Sequence, residues 1–106
     1  MTEPTPIPVP DGLRGLPPEA IEALRVVRLE LERLSELDER TIELTRVGAL
    51  VALGAPAEAI QAHVSRARAA GVSADEIWGS VLAVAPLVGV PRLIGAVPAI
   101  RAALEG

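Results

Sequence analysis

The chain has 106 residues, a length typical of one domain, and half of its residues are apolar. Its formal net charge is -4, its ten cations are all arginine, and no basic cluster appears, which argues against nucleic acid as a partner. The sequence contains no cysteine. Disulfides, thiol catalysis and cysteine-ligated metal are therefore excluded.

The apolar residues are mainly Ala, Val, Leu and Ile, because the only aromatic residue is Trp78. So small a domain does not easily cover this much apolar side chain with its own surface. We therefore expect a homo-oligomer.

Proline occupies every second position from Pro4 to Pro10, which favours an extended arm over residues 1–15. This arm is either a solvent-exposed tail or a segment lying across a neighbouring subunit. A single helical domain is expected over residues 16–106. No basic region followed by an apolar run appears at the amino terminus, so no secretory signal is visible and we expect a cytoplasmic protein.

The first helix is predicted to begin at Pro17 or Pro18 and to end near Ser35, since proline suits the first helical turn. Val26 and Leu29 lie on its charged side and are candidates for a subunit contact. The apolar residues on the other side recur at spacings of three and four and form one stripe: Ile21, Leu24, Val27, Leu31 and Leu34.

The second helix is predicted to follow a capping Asp38 and to end at Gly54, and its apolar second half indicates a central, buried position. Pro56 begins a third helix that ends at Gly71. Ser73 and Glu76 have the spacing of a capping box, which begins the fourth helix.

The fourth helix is predicted to stop near Pro86, and a fifth to follow the turn of residues 89–91 and run to Leu104 with a kink at Pro98. Residues 77–100 are apolar over a membrane-spanning length, but Arg92 and three prolines favour two buried helices and no membrane. No strand-like alternation appears, and short connections imply antiparallel neighbours. The sequence thus predicts an all-α antiparallel bundle of five or six helices.

His63, the only histidine, shares the apolar side of the third helix with Ile60 and Val64. A buried imidazole needs a hydrogen-bond partner, and Glu43 is the candidate because it shares a face with Val47. Burial raises the pKa of a carboxyl group and lowers that of an imidazole, whereas contact between the two groups favours their charged forms. Because these influences oppose each other, the pair is a candidate for general acid-base catalysis near neutral pH. The alternatives are a structural hydrogen bond between helices, or separate salt bridges from Glu43 to Arg40 or Arg46.

Other polar and aromatic groups admit two interpretations. Arg92 is a candidate for binding an anionic ligand, or else a subunit-contact or solvent-reaching arginine. Trp78 is either a core residue or part of a ligand site. One histidine among scattered carboxylates does not predict a metal site.

Residues 37–104 resemble the carboxymuconolactone decarboxylase family, whose helical fold is shared with the alkylhydroperoxidase D proteins. The resemblance is carried by R-x-x-E-L at Arg40, Glu43 and Leu44, by His63 with the segment ARAAGVSADEI of residues 67–77, and by G-x-P at Gly89 and Pro91. It implies an alkylhydroperoxidase D-like bundle that assembles as a homotrimer or hexamer.

The peroxidase branch of the family carries C-x-x-C-x-x-x-H, where this chain has Pro56, Ala59 and His63. Neither replacement can form a thiolate, which excludes hydroperoxide chemistry of that kind. The decarboxylase branch uses no metal and no organic cofactor, and we expect none here. The family's Y-x-G-x-P appears as LVGVP at residues 87–91, so a phenolic donor is missing.

Two functions follow as hypotheses. The first is a lyase or isomerase without cofactor acting on a small anionic lactone or keto acid. In it, Glu43 and His63 form the acid-base pair, and the substrate-binding groups come from Arg40, Arg46, Trp78 and Arg92. The second is a non-enzymatic protein that binds a small molecule or serves assembly and keeps the oligomeric fold.

Overall fold

The computed structural model describes residues 11–106. After a short 3₁₀ turn at Asp11–Leu13 come five helices: α1 (Pro18–Ser35), α2 (Glu39–Leu53), α3 (Ala57–Ala69), α4 (Ala74–Val88) and α5 (Val90–Glu105). No strand occurs in this part of the chain, and the all-α prediction is confirmed. Most of the predicted proline-rich arm, residues 1–10, lies outside the described residues.

The helix ends follow local side-chain chemistry. The Asp38 side chain accepts a hydrogen bond of 2.7 Å from the Thr41 amide at the start of α2. Gly54 ends α2 with φ of 66°, a left-handed conformation that glycine adopts without steric cost. Ser73 and Glu76 form the complete capping box of α4. These predicted boundaries are therefore confirmed.

The fourth helix ends two residues after Pro86, the residue near which its end was predicted. Helix α4 continues to Val88 with Pro86 inside it, and the break comes at Gly89, whose φ is 80°. One proline removes a single backbone donor, whereas a glycine in this conformation turns the chain out of the helix. The apolar stretch of residues 77–100 is thus divided between α4 and α5, and none of the helices in residues 11–106 is both long and apolar enough to cross a membrane.

Helix α2 lies at the centre of the bundle, as predicted, and packs against α3, α4 and α5. The short connection between α3 and α4 does not bring those two helices into close packing; α3 packs mainly against α5. The core consists of small and branched aliphatic residues: Val47, Val51, Ile60, Val64, Ala67, Val72, Ile77, Val81, Ala96, Ala99 and Ile100.

Helix α1 differs from the expectation that its apolar stripe packs against a core. It contains no buried residue, and Leu24, Val27, Leu31 and Leu34 are all more than half exposed, Leu31 by 60%. The stripe is exposed because α1 stands away from α2 and α3 and leaves a groove between them. Val26 and Leu29 are also exposed, and their role in a subunit contact stays a prediction.

We expect Gly54→Ala to lower the free energy of unfolding by about 1–3 kcal/mol. The φ of 66° is strained for alanine, and an added Cβ would overlap the Arg92 guanidinium. Gly79→Ala is the matched control, because Gly79 lies inside α4 and an added Cβ would meet nothing within 4 Å beyond the adjoining residues and backbone of its own helix. In urea unfolding, Gly79→Ala should be as stable as the wild type or about 0.5–1 kcal/mol more stable. Equal losses of unfolding free energy in Gly79→Ala and Gly54→Ala would contradict the strain at Gly54.

Candidate functional site

The groove beneath α1 has a volume of about 430 Å³. Its walls come from three helices, and most of the contributing side chains are aliphatic: Leu24, Val27 and Leu31 from α1, with Ala49 and Leu50 from α2. The polar groups are His63 and three arginines, Arg28, Arg46 and Arg66. An apolar concave site with a few converging polar groups is typical of small-molecule binding.

Glu43 and His63 meet at this groove. His63 Nδ1 lies 3.0 Å from Glu43 Oε2, which joins α3 to α2. Glu43 is only 4% exposed, and the His63 side chain, 21% exposed, contributes to the groove wall. The contact expected from two polar residues on apolar helix faces is present.

The environment of Glu43 keeps its carboxyl group ionised. Burial raises the pKa of Glu43, but the hydrogen bond from His63 and the positive charges of His63, Arg46 and Arg66 together outweigh burial and hold that pKa below its usual value. An ionised carboxylate only accepts hydrogen bonds, so Nδ1 of a neutral imidazole carries the proton. Nε2 is then the basic nitrogen, and no side chain in residues 11–106 hydrogen-bonds to it.

Arg46 extends this pair into a network that reaches α1. Its Nη1 donates to Glu32 Oε1 at 2.6 Å and approaches Glu43 Oε1 at 3.4 Å. Glu32 belongs to α1, Arg46 and Glu43 to α2, and His63 to α3. The network therefore joins the three helices that enclose the groove.

Arg66 lies one helical turn after His63 and contributes to the same wall. Its Nε is buried and has no hydrogen-bond acceptor among residues 11–106. Burial and the nearby charge of Arg28 lower the pKa of Arg66. Neither arginine was singled out from the sequence, although Arg28 interrupts the apolar stripe between Leu24 and Leu31 and Arg66 shares a helix side with His63.

Three of the predicted substrate-binding residues lie elsewhere. Arg40 donates to the Gly71 carbonyl and to Glu76, which ties the start of α2 to the α3–α4 connection. Trp78 is partly buried and packs against the core. Arg92 lines a separate cavity of about 230 Å³ beside Gly54. Of the four predicted groups, Arg46 is the one that lines the groove.

The comparisons with known proteins give the family. The profile of the carboxymuconolactone decarboxylase family matches residues 17–102. The chain belongs to this family. Among curated proteins and solved structures, no match was found.

The match to the carboxymuconolactone decarboxylase family covers α1 to α4 and most of α5. It therefore includes Glu43, His63 and every residue that lines the groove. The resemblance recognised in residues 37–104 is confirmed, and the absence of cysteine assigns the chain to a branch without thiol chemistry. Within residues 11–106, no group of three or more His, Asp or Glu side chains is arranged to hold a metal ion.

The Glu43 carboxyl should make the stability of this family member depend on pH. Its folded-state pKa lies below the usual value of 4.5, so ionised Glu43 stabilises the fold above that pH and loses this effect as the pH falls through the folded-state pKa. Urea unfolding should be measured at a series of pH values from about 6 downward. The difference in free energy of unfolding between the wild type and Glu43→Gln should become smaller as the pH falls. A gap that stays constant or widens would contradict the assignment.

Proposed function

We propose that this protein of the carboxymuconolactone decarboxylase family is a lyase or isomerase without cofactor, acting on a small anionic lactone or keto acid. The observation that supports the proposal is the Glu43–His63 contact at the wall of a groove that also contains arginine. His63 is the proton donor and acceptor, and Glu43 holds its tautomer and stabilises its charged form.

In a decarboxylation, the bond between the substrate carbon and its carboxylate breaks and CO₂ leaves. The electron pair stays on carbon as an enolate, delocalised onto the neighbouring carbonyl. Protonated His63 then transfers its Nε2 proton to that carbon, and water restores the proton to the imidazole. The positive charge of a nearby arginine stabilises the enolate as it forms.

In an isomerisation, neutral His63 removes a proton from the carbon next to the carbonyl and returns it to another carbon of the enolate. One group must act as a base in the first step and as an acid in the second. His63, held by its contact with Glu43, is that group. Arg46 is the arginine we assign to the enolate oxygen in both reactions, since it lines the groove and its Nη2 and Nε atoms make none of the bonds to Glu32 and Glu43.

A panel of carboxylated lactones and keto acids tests the proposal. Released CO₂ identifies a lyase, and incorporation of deuterium from D₂O at a carbon next to the carbonyl identifies an isomerase. Native mass spectrometry detects the alternative, a binding protein, which would retain an unmodified ligand. The largely aliphatic wall of the groove is the observation that favours this second candidate.

We also propose that the chain assembles with itself as a trimer or hexamer in the cytoplasm. The support is the apolar surface that residues 11–106 leave exposed, including Val26 and Leu29 on α1 and Leu82, Leu87 and Ile94 on α4 and α5. Sedimentation equilibrium measures the assembly state, and a monomer at micromolar concentration would contradict the proposal.

A further inference from the structure

Two arginines without a carboxylate partner line the groove. Arg28 comes from α1 and Arg66 from α3, and no carboxylate of residues 11–106 lies within 4.0 Å of either guanidinium. The other two polar groups in the groove wall each have a carboxylate partner, since Arg46 pairs with Glu32 and His63 with Glu43. The groove therefore has unneutralised positive charge at the α1–α3 side.

The Arg66 guanidinium also has an unsatisfied donor. Its Nε is buried and meets no acceptor in the described chain. A buried donor without an acceptor is costly and rare in folded proteins, and a second positive charge nearby adds repulsion. Burial and the Arg28 charge both lower the pKa of Arg66, which indicates that an anion placed between the two arginines would be favoured.

The remainder of the groove has the opposite character. Five aliphatic side chains form its walls, namely those of Leu24, Val27, Leu31, Ala49 and Leu50. The carboxylates of Glu32 and Glu43, which contact groove-lining residues, already accept bonds from Arg46 and His63. A second anionic group on a ligand would therefore lie against aliphatic wall or near these carboxylates, and either position is unfavourable.

We propose that the groove binds a monocarboxylate with an aliphatic body, whose carboxylate lies between Arg28 and Arg66 and whose body lies along the aliphatic wall. A volume of about 430 Å³ is within the range of small-molecule sites. The inference rests on the proposed function in using the same groove, and it narrows the substrate class to singly charged, apolar acids. His63, one turn from Arg66, then lies beside the first carbons of the body.

Isothermal titration calorimetry with three probes of equal length tests the inference. Octanoate has the proposed charge and body, octanol lacks the charge, and suberate carries a second carboxylate at the far end. We expect octanoate to bind at least tenfold more tightly than octanol and than suberate. Because none of these probes is a lactone or keto acid, the measurement is independent of turnover.

Substitution of the arginines assigns the carboxylate site. Arg66→Met and Arg28→Met should each weaken octanoate binding at least tenfold, because a charge-assisted pair is lost, and Arg66→Lys should restore part of the affinity. Arg25→Met is the matched control, since Arg25 is an exposed arginine of α1 that pairs with Glu22 outside the groove. Circular dichroism verifies that each variant is folded.

Two binding results would overturn the inference: equal affinity for octanoate and octanol, or unchanged octanoate affinity in Arg66→Met. A third is an altered sedimentation coefficient in Arg28→Met and Arg66→Met, because it would assign the groove to a second copy of the chain. The proposed function fails separately, through absence of CO₂ release and deuterium incorporation across the substrate panel while octanoate still binds.

Discussion

His63→Ala should lower turnover of the substrate by about 10²–10⁴-fold, the range contributed by a positioned acid-base group. The imidazole is the only group of its kind in the chain, and its Nδ1 is held 3.0 Å from Glu43 while Nε2 has no protein partner in residues 11–106. The other lining residues of the groove, including its three arginines, are unchanged by this substitution. The expected loss is therefore in kcat, with KM changed little.

The control for this variant is Ser65→Ala, which changes an exposed side chain two residues further along α3. It should keep full turnover. Glu43→Gln should lose less activity than His63→Ala, since the amide still accepts the hydrogen bond but no longer stabilises a charged imidazole, and its pH profile should shift. Full turnover in His63→Ala would remove the acid-base assignment altogether.

The helix boundaries could be predicted because they depend on local chemistry. Asp38, Gly54 and the Ser73–Glu76 pair act on backbone groups within one turn of themselves, so a short stretch of sequence contains all the necessary information. Pro86 marked the end of α4 only to within two residues, since a proline within a helix is less decisive than the positive φ of Gly89 three residues later.

The position of α1 could not be predicted in the same way. Its apolar stripe has the spacing of a core-facing helix, but spacing does not reveal what the stripe faces. Leu24, Val27 and Leu31 line a groove instead of packing on α2 and α3. The groove exists because of the arrangement of three helices, and no local pattern encodes that arrangement.

The candidate site could likewise be predicted only in part. Glu43 and His63 are polar residues on apolar faces, and each therefore requires a partner that the other can provide. Arg28 and Arg66 look like ordinary surface cations in the sequence, and their significance arises only when α1 and α3 bring them into one groove. Arg40 shows the converse: it belongs to the family motif, yet it is bonded to Gly71 and Glu76.

Ile77→Ala should lower the free energy of unfolding by about 2–5 kcal/mol. Ile77 is fully buried at the start of α4 and belongs to the core that α2, α3, α4 and α5 share. Truncation removes apolar contacts and leaves a cavity that the neighbouring aliphatic side chains fill only in part. A small domain has a total stability of about 5–15 kcal/mol, so this single change removes a large part of it.

Ile94→Ala is the matched control, because it is the same substitution at a side chain that is 69% exposed on α5. In a monomer its effect should be within about 0.5 kcal/mol. Urea unfolding of both variants at two protein concentrations distinguishes a solvent-exposed α5 surface from a subunit contact. A large loss for Ile94→Ala that shrinks on dilution would make the α5 surface a subunit contact, since assembly stabilises the folded wild type more at higher protein concentration and a variant that assembles less lacks this gain. A large loss that is independent of concentration would contradict the burial pattern on which the fold description depends.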